Sequence, residues 1–244
     1  MFEFKSNLNK NEDDWISLSD VMSGLMLVFL FIALVFMRQE RLQKDEIKIK
    51  KQAIEEIAIR YNERQDKLYE KLLHEFGDSL SVWNAHITKP DTLSVVFRNP
   101  EVLFEAGKSD IRPQFENILA YFWPRFIAVL TDPNFKPYIE EIRIEGHTSS
   151  EWVNKGYWEA YFSNMRLSQE RTRSVLQYVM NLRGNNANLY WQQSLVTANG
   201  LSSSKLKKTY NGTEDRVASR RVEFRVRTTA SSEVRKIISK IVAD

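Results

Sequence analysis

The sequence predicts an α+β protein built from one N-terminal transmembrane helix, a helical spacer and a C-terminal globular domain. Three observations carry this reading. Ile16 to Met37 is an apolar run in which Asp20 is the only ionised residue. Residues 38–76 contain neither Pro nor Gly and are dense in Glu, Lys, Arg and Gln. Beyond Asp78 the apolar residues recur alternately at strand and helix spacing.

Residues 1–14 are short and polar, a tail expected to be mobile, and Trp15 stands where an interfacial aromatic would anchor a span over residues 15–37. At the helical rise per residue the run from Ile16 to Met37 is roughly 33 Å long, enough for a hydrocarbon core of about 30 Å. A cleaved signal peptide is the competing reading, but the apolar core is too long and Phe36 is followed by Arg38, Gln39, Glu40 and Arg41 rather than a small-residue cleavage site. The absence of Cys excludes a disulfide framework and a lipid anchor on cysteine. A net charge of +3 over 244 residues is too small to argue for nucleic acid. The bilayer is the first partner the sequence implies.

Residues 38–77 read as a solvated helical spacer, with Glu40/Lys44, Glu46/Lys50, Glu56/Arg60 and Glu63/Lys67 at i,i+4 spacing and Gly77 as its expected end. Ile47, Ile54, Tyr61 and Leu68 recur every seven residues, but Lys50, Arg64 and Lys71 interrupt the companion seam and argue against a coiled coil. Its place directly after the span also suits a plug over an ion path.

The domain over residues 78–244 shows strand patterns at Leu93–Phe97, Ile139–Glu145, Ser194–Ala198 and Val222–Arg227. Helical patterns cover Arg112–Leu130 and Glu159–Leu182. The alternation fits α+β or α/β. No Cys nucleophile, zinc-ligand cluster or Ser/His/Asp set indicates an enzyme. His147 reads as a residue that shapes its loop rather than a metal ligand, since His74 and His86 are remote in sequence.

A carboxylate inside a span must be paired, hydrated or protonated, because burying it bare costs several kcal/mol. Ser17, Asp20, Ser23 and Gly24 share one stripe of the helix and call for a polar partner or a wet path. The alternative is an interfacial carboxylate that favours the helix N-terminus. The segment from Trp15 to Leu30 resembles the membrane helix of the MotB family, in which a Trp is followed five residues on by an Asp and then by turns rich in Met, Phe and Leu. The resemblance implies that Asp20 binds and releases a transported proton or sodium ion, with no bound cofactor, while a homodimer of this chain sits inside a ring of a larger MotA-like subunit.

Gly146-His147-Thr148, then Asn164 with Leu167-Ser168-Gln169-Glu170-Arg171, then Arg216 to Glu223 resemble in order the GHTD, NxxLSxxR and RxxNRRVE motifs of OmpA-like peptidoglycan-binding domains. The resemblance implies a βαβαβ domain in the periplasm that reads the diaminopimelate of peptide stems. The implied wall-binding residues are Ser149, Asn164, Leu167, Arg171 and Arg221. An Arg suits the role because its planar fork takes a carboxylate bidentately. Ser149 stands where the family has Asp, and about seven extra residues within Glu151 to Tyr161 lengthen the following loop. Glu151 is a candidate substitute for the missing carboxylate, and Arg220 and Arg221 read equally well as structural ion-pair partners.

Basic residues are concentrated after the span, at Arg38, Arg41, Lys44, Lys48, Lys50 and Lys51, which by charge alone would keep the domain in the cytoplasm. A wall-binding domain implies the opposite: inner membrane, single pass, N-terminus cytoplasmic. The Trp-Ile-Ser opening, the Asp-x-Met-x-x-Leu-Met-x-x-Phe-Leu core and the lengthened loop resemble the B subunits of Zorya anti-phage defence systems more than flagellar stator subunits. That implies a Zorya A ring as partner and cytoplasmic defence effectors acted on indirectly. A flagellar-type stator subunit and a passive peptidoglycan tether are the alternatives.

Overall fold

The computed structural model describes residues 4–89, 93–98, 100–182 and 188–229. It is an α+β structure and divides into two compact units, residues 1–56 and 57–244. Helix α1 (Phe4–Leu80) runs through both. Residues 1–3 and 230–244 of the expected tail and domain, and the Ser17 side chain of the polar stripe, lie outside the described residues.

In the first unit α1 holds the apolar run, and among the described residues it is the one helix long and apolar enough to cross a membrane. Its apolar side chains are uncovered, from Leu18 through Met37, as is Asp20. Helix already begins at Phe4, within the tail that the sequence suggested to be mobile. Further along, Lys44 pairs with Glu40 at 2.7 Å and Lys50 with Glu46, the expected i,i+4 contacts.

The second unit corrects the spacer. Leu68, Leu72, Phe76 and Leu80 lie at successive i+4 positions, one stripe of the helix, and all are buried. Gln65 on the same side donates to Thr228 Oγ1 at 2.9 Å. The last turns of α1 therefore belong to the globular core instead of standing in solvent. Gly77 does not end the helix, because burial of Leu80 one turn on outweighs a glycine cost of about 1 kcal/mol.

The sheet has the order β1-β2-β5-β3-β4, formed by β1 (Ala85–Thr88), β2 (Leu93–Phe97), β3 (Ile139–His147), β4 (Val196–Gly200) and β5 (Arg221–Thr228). β3 and β4 are parallel, and the other neighbouring pairs are antiparallel. Between strands lie α2 (Pro100–Leu103), α3 (Pro113–Leu130), α4 (Tyr157–Met180), α5 (Leu189–Leu195) and α6 (Arg216–Ser219). Ile142, Ile144, Val222, Phe224 and Val226 enter the core with Phe115, Phe122, Trp123 and Phe126 of α3 and Val175 and Val179 of α4. Phe122 stacks on Phe126 at 4.9 Å and meets Phe76 of α1 at 5.2 Å.

The intervening residues face the other way, as a period of two requires, and form a ladder of charges. Arg227 pairs with Glu141 at 2.8 Å, and Arg225 reaches Glu145 at 3.1 Å and Glu223 at 3.2 Å. Two glycines bring α4 close to the sheet. A Cβ on Gly146 would stand 2.7 Å from Thr172 Cγ2, and one on Gly200 would stand 2.3 Å from the Gln169 backbone N. That close approach sets α4 beside the carboxyl end of β3.

Candidate functional site

A cavity of about 840 Å³ opens at the carboxyl end of β3. Thr148 and Ser149 follow directly from the strand and are both buried, with the Thr148 N–H donating to the Ser202 carbonyl at 3.0 Å. Helix α4 contributes Asn164, Leu167 and Arg171, whose i, i+3, i+7 spacing puts them on one face. The segment around α2 adds Phe104, Gly107 and Arg112, and the junction of α6 with β5 adds Arg220. Thus Ser149, Asn164, Leu167 and Arg171, four of the five side chains picked from sequence for this site, line one space.

Arg171 is fixed before any ligand arrives. Its Nε donates to the Lys108 carbonyl at 2.8 Å, one terminal nitrogen donates to the Glu105 carbonyl at 3.0 Å, and the guanidinium lies 4.8 Å from the Phe104 ring centre. Burial, and secondarily the nearby charge of Arg220, lowers its pKa to about 10. Backbone carbonyls orient this cation without cancelling its charge. Arg220 adds a second guanidinium whose buried Nε has no hydrogen-bond partner in the structure. The Thr148 hydroxyl is likewise buried and unpartnered. Unspent donors beside two cations fit an anionic group, and a carboxylate matches them in shape and charge.

Glu151 is the acidic side chain lining the cavity, and Arg216 holds it at 3.2 Å. Its carbonyl accepts from Asn164 Nδ2 at 3.3 Å, so Asn164 ties α4 to the lengthened loop. The cavity accordingly carries excess positive charge, with Arg112, Arg171 and Arg220 lining it against Glu151.

Arg221 sits elsewhere. It is buried, donates from Nε to Glu223 at 2.6 Å and from Nη1 to the carbonyls of Lys205 and Ser219. Of these two neighbours at the entry to β5, Arg220 lines the cavity and Arg221 does not, although both border a smaller recess beside Arg171. Arg112, Phe104 and Trp152 also line the cavity without a motif to announce them, and so does Thr148 of the Gly146-His147-Thr148 motif, for which no role was expected.

Glu145, His147 and Glu223 form a buried group whose ligand atoms lie within 4.8 Å of one another. Neither ring nitrogen of His147 has a hydrogen-bond partner, and Nε2 lies 3.6 Å from a carboxylate oxygen of Glu145 and 3.6 Å from one of Glu223. Burial lowers the His147 pKa, against the smaller opposing pull of Glu145. Burial pushes Glu223 up, but His147 and Arg221 prevail and leave its pKa below the usual carboxylate range. Arg221 and Arg225 already neutralise the two carboxylates, so the group balances its charge without a metal ion. His147 is the last residue of β3 rather than part of the loop that the sequence suggested.

Comparison with known proteins follows the same outline. Residues 103–225 match the OmpA family. The chain is 41% identical over 233 residues to Zorya protein ZorB of Escherichia coli, covering 95% of each protein. Among solved structures it resembles a MotB-like protein from Desulfovibrio vulgaris, with a TM-score of 0.50 and 21% identity over 72% of this chain and 95% of that one. The periplasmic domain of Helicobacter pylori MotB matches more weakly, with a TM-score of 0.46 and 16% identity over 64% of this chain and 90% of that one.

Proposed function

The chain belongs to the OmpA family and to the family of Zorya protein ZorB, and from that membership we propose that it is a stator-like subunit of the inner membrane. In this reading the second unit holds peptidoglycan and the apolar helix carries ions through Asp20 to drive anti-phage defence. The observation that carries it is the cavity in which an oriented, unneutralised Arg171 faces Arg220, Thr148 and Ser149. Such a site takes the free carboxylate of a peptide stem, with Asn164 and Leu167 shaping the wall of the pocket. The ligand's amine, where a stem has one, meets Glu151 in place of the missing family Asp.

Two copies of the chain would stand inside a ring of a larger MotA-like subunit, with the N-terminus in the cytoplasm and the OmpA-family domain in the periplasm. Proton or sodium transfer at Asp20 changes the carboxylate's charge, its desolvation cost and its preferred contacts, and a surrounding ring can respond to each change by a step. The subunit itself performs no bond chemistry.

Cosedimentation of the detergent-solubilised full chain with purified sacculi tests the wall half. Arg171→Ala is expected to weaken retention about ten-fold or more, as loss of a charged hydrogen-bond partner does. Equal retention of parent and variant removes the cavity from the account.

A further inference from the structure

The loop that follows β3 forms one wall of the cavity, and its first residues are held by a carboxylate that lies outside all three motifs. Glu214, half-buried, accepts from the Ser150 backbone N–H at 2.9 Å and from Ser150 Oγ at 2.5 Å. Ser150 stands between Ser149 and Glu151, which both line the cavity. Hydrogen bonds to an ionised acceptor are roughly twice as strong as neutral ones. Arg216 also pairs with Glu151, at 3.2 Å, but both of those side chains are at least half exposed and such a pair adds little. The other ties on this stretch, from the Thr148 N–H to Ser202 and from Asn164 to the Glu151 carbonyl, lie on either side of Ser150 and leave its own position to Glu214.

Glu214 can hold the loop because it is itself held. It closes a turn over residues 207–215 through a bridge to Lys208, and inside the turn the Thr209 N–H donates to the Thr213 carbonyl at 2.8 Å. Gly212, at φ +77°, takes the left-handed conformation there without a side-chain clash. The base of the turn is tied to α6. The Asp215 N–H donates to the Lys207 carbonyl at 2.8 Å, and the Lys207 N–H donates to Ser219 Oγ at 2.9 Å. Asp215 Oδ1 caps α6 by accepting from the Ala218 N–H at 2.9 Å. Ser219 is buried, and Arg220, next in sequence, lines the cavity. One connected piece therefore carries Arg220 at one end and grips the loop of Ser149 and Glu151 at the other. Without the grip, that wall is free to move relative to Arg171 and Arg220.

We propose that Glu214 is a positioning residue of the cavity, which fixes Ser150 and so holds Ser149 and Glu151 in place opposite the two arginines that take a ligand carboxylate. This role rests on the wall-binding reading.

Calorimetric titration of the full chain in lipid nanodiscs with the free stem tripeptide ending in diaminopimelate tests it, and amide exchange across residues 148–156 reports the grip without a ligand. Glu214→Ala is expected to weaken tripeptide binding about five-fold or more and to speed exchange in that segment, with the melting temperature within about 2 °C of the parent. Glu214→Gln, which still accepts from the Ser150 N–H, restores most of the affinity. Ser150→Ala loses the hydroxyl bond alone, so it weakens binding less than Glu214→Ala does and adds nothing in the Glu214→Ala background. Parental affinity or parental exchange in Glu214→Ala, while Arg171→Ala loses binding, overturns the positioning role and leaves the cavity reading intact. Additive losses in the Ser150/Glu214 pair overturn it too, as does weakening that comes with a large fall in melting temperature and no rescue by Glu214→Gln, which marks Glu214 as a support of the fold. A parent that does not bind the tripeptide, or an Arg171→Ala variant that binds it as the parent does, removes the cavity reading and the positioning role with it.

Discussion

Arg220 and Arg221 are adjacent in sequence and opposite in consequence. Arg220 points into the cavity with donors to spare, whereas Arg221 is enclosed with Glu223 at 2.6 Å. Arg220→Ala is therefore expected to lower sacculus retention with little change in melting temperature. Arg221→Ala leaves a buried carboxylate without its main partner and is expected to cost about 3–5 kcal/mol of stability by denaturant titration. The reverse ranking would exchange their roles. His147 makes a second prediction at this scale. Its folded-state pKa lies below the ordinary value, so the unfolded chain binds the extra proton more readily and stability falls as pH drops below about 6.5. One such group contributes a slope of at most about 1.4 kcal/mol per pH unit. His86, also held below its ordinary pKa by burial first and Arg98 second, acts in the same direction. His147→Gln, which keeps a polar side chain among Glu145, Glu223, Arg221 and Arg225, is expected to flatten the melting-temperature profile between pH 7 and about pH 5; an unchanged profile would show that His147 is not what titrates. Ser149, Asn164, Leu167 and Arg171 were legible because they stand at fixed places in ordered motifs. Arg112 and Phe104 were not, because no local pattern records that a loop and a strand end will meet, and Thr148 was read as part of its motif without a role in the cavity.

At the scale of elements, β2, β3, β5, α3 and α4 were readable from the two periods. β1 was missed because its four residues are all half-buried and show no alternation. The largest misreading was the end of α1. Its charge density suggested a solvated rod, and the i+4 stripe of Leu68, Leu72, Phe76 and Leu80 was hidden among Glu, Lys and Arg on the remaining faces. A narrow apolar stripe suffices when it packs against an aromatic core, here Phe76 on Phe122 and Trp83. Leu72 is fully buried, so Leu72→Ala is expected to cost about 2–5 kcal/mol in denaturant titration of the domain. A cost under about 1 kcal/mol, typical of an exposed helical site, would mean that these turns do not belong to the core.

For the molecule as a whole, the consequence of that packing is continuity along the chain. The helix that bears Asp20 is, further on, a structural element of the OmpA-family unit, with Arg125 of α3 held to Glu75 of α1 at 2.6 Å. A passive tether would need the same wall domain and the same apolar helix, but not the carboxylate. Phage plating on cells that carry the complete defence operon, with the parent chain and with Asp20→Asn at equal membrane levels, separates the two most directly. Asp20→Asn is expected to abolish protection while the complex still assembles. Protection that survives the substitution would contradict ion transfer through Asp20 and leave the chain a wall tether whose Asp20 is an interfacial carboxylate.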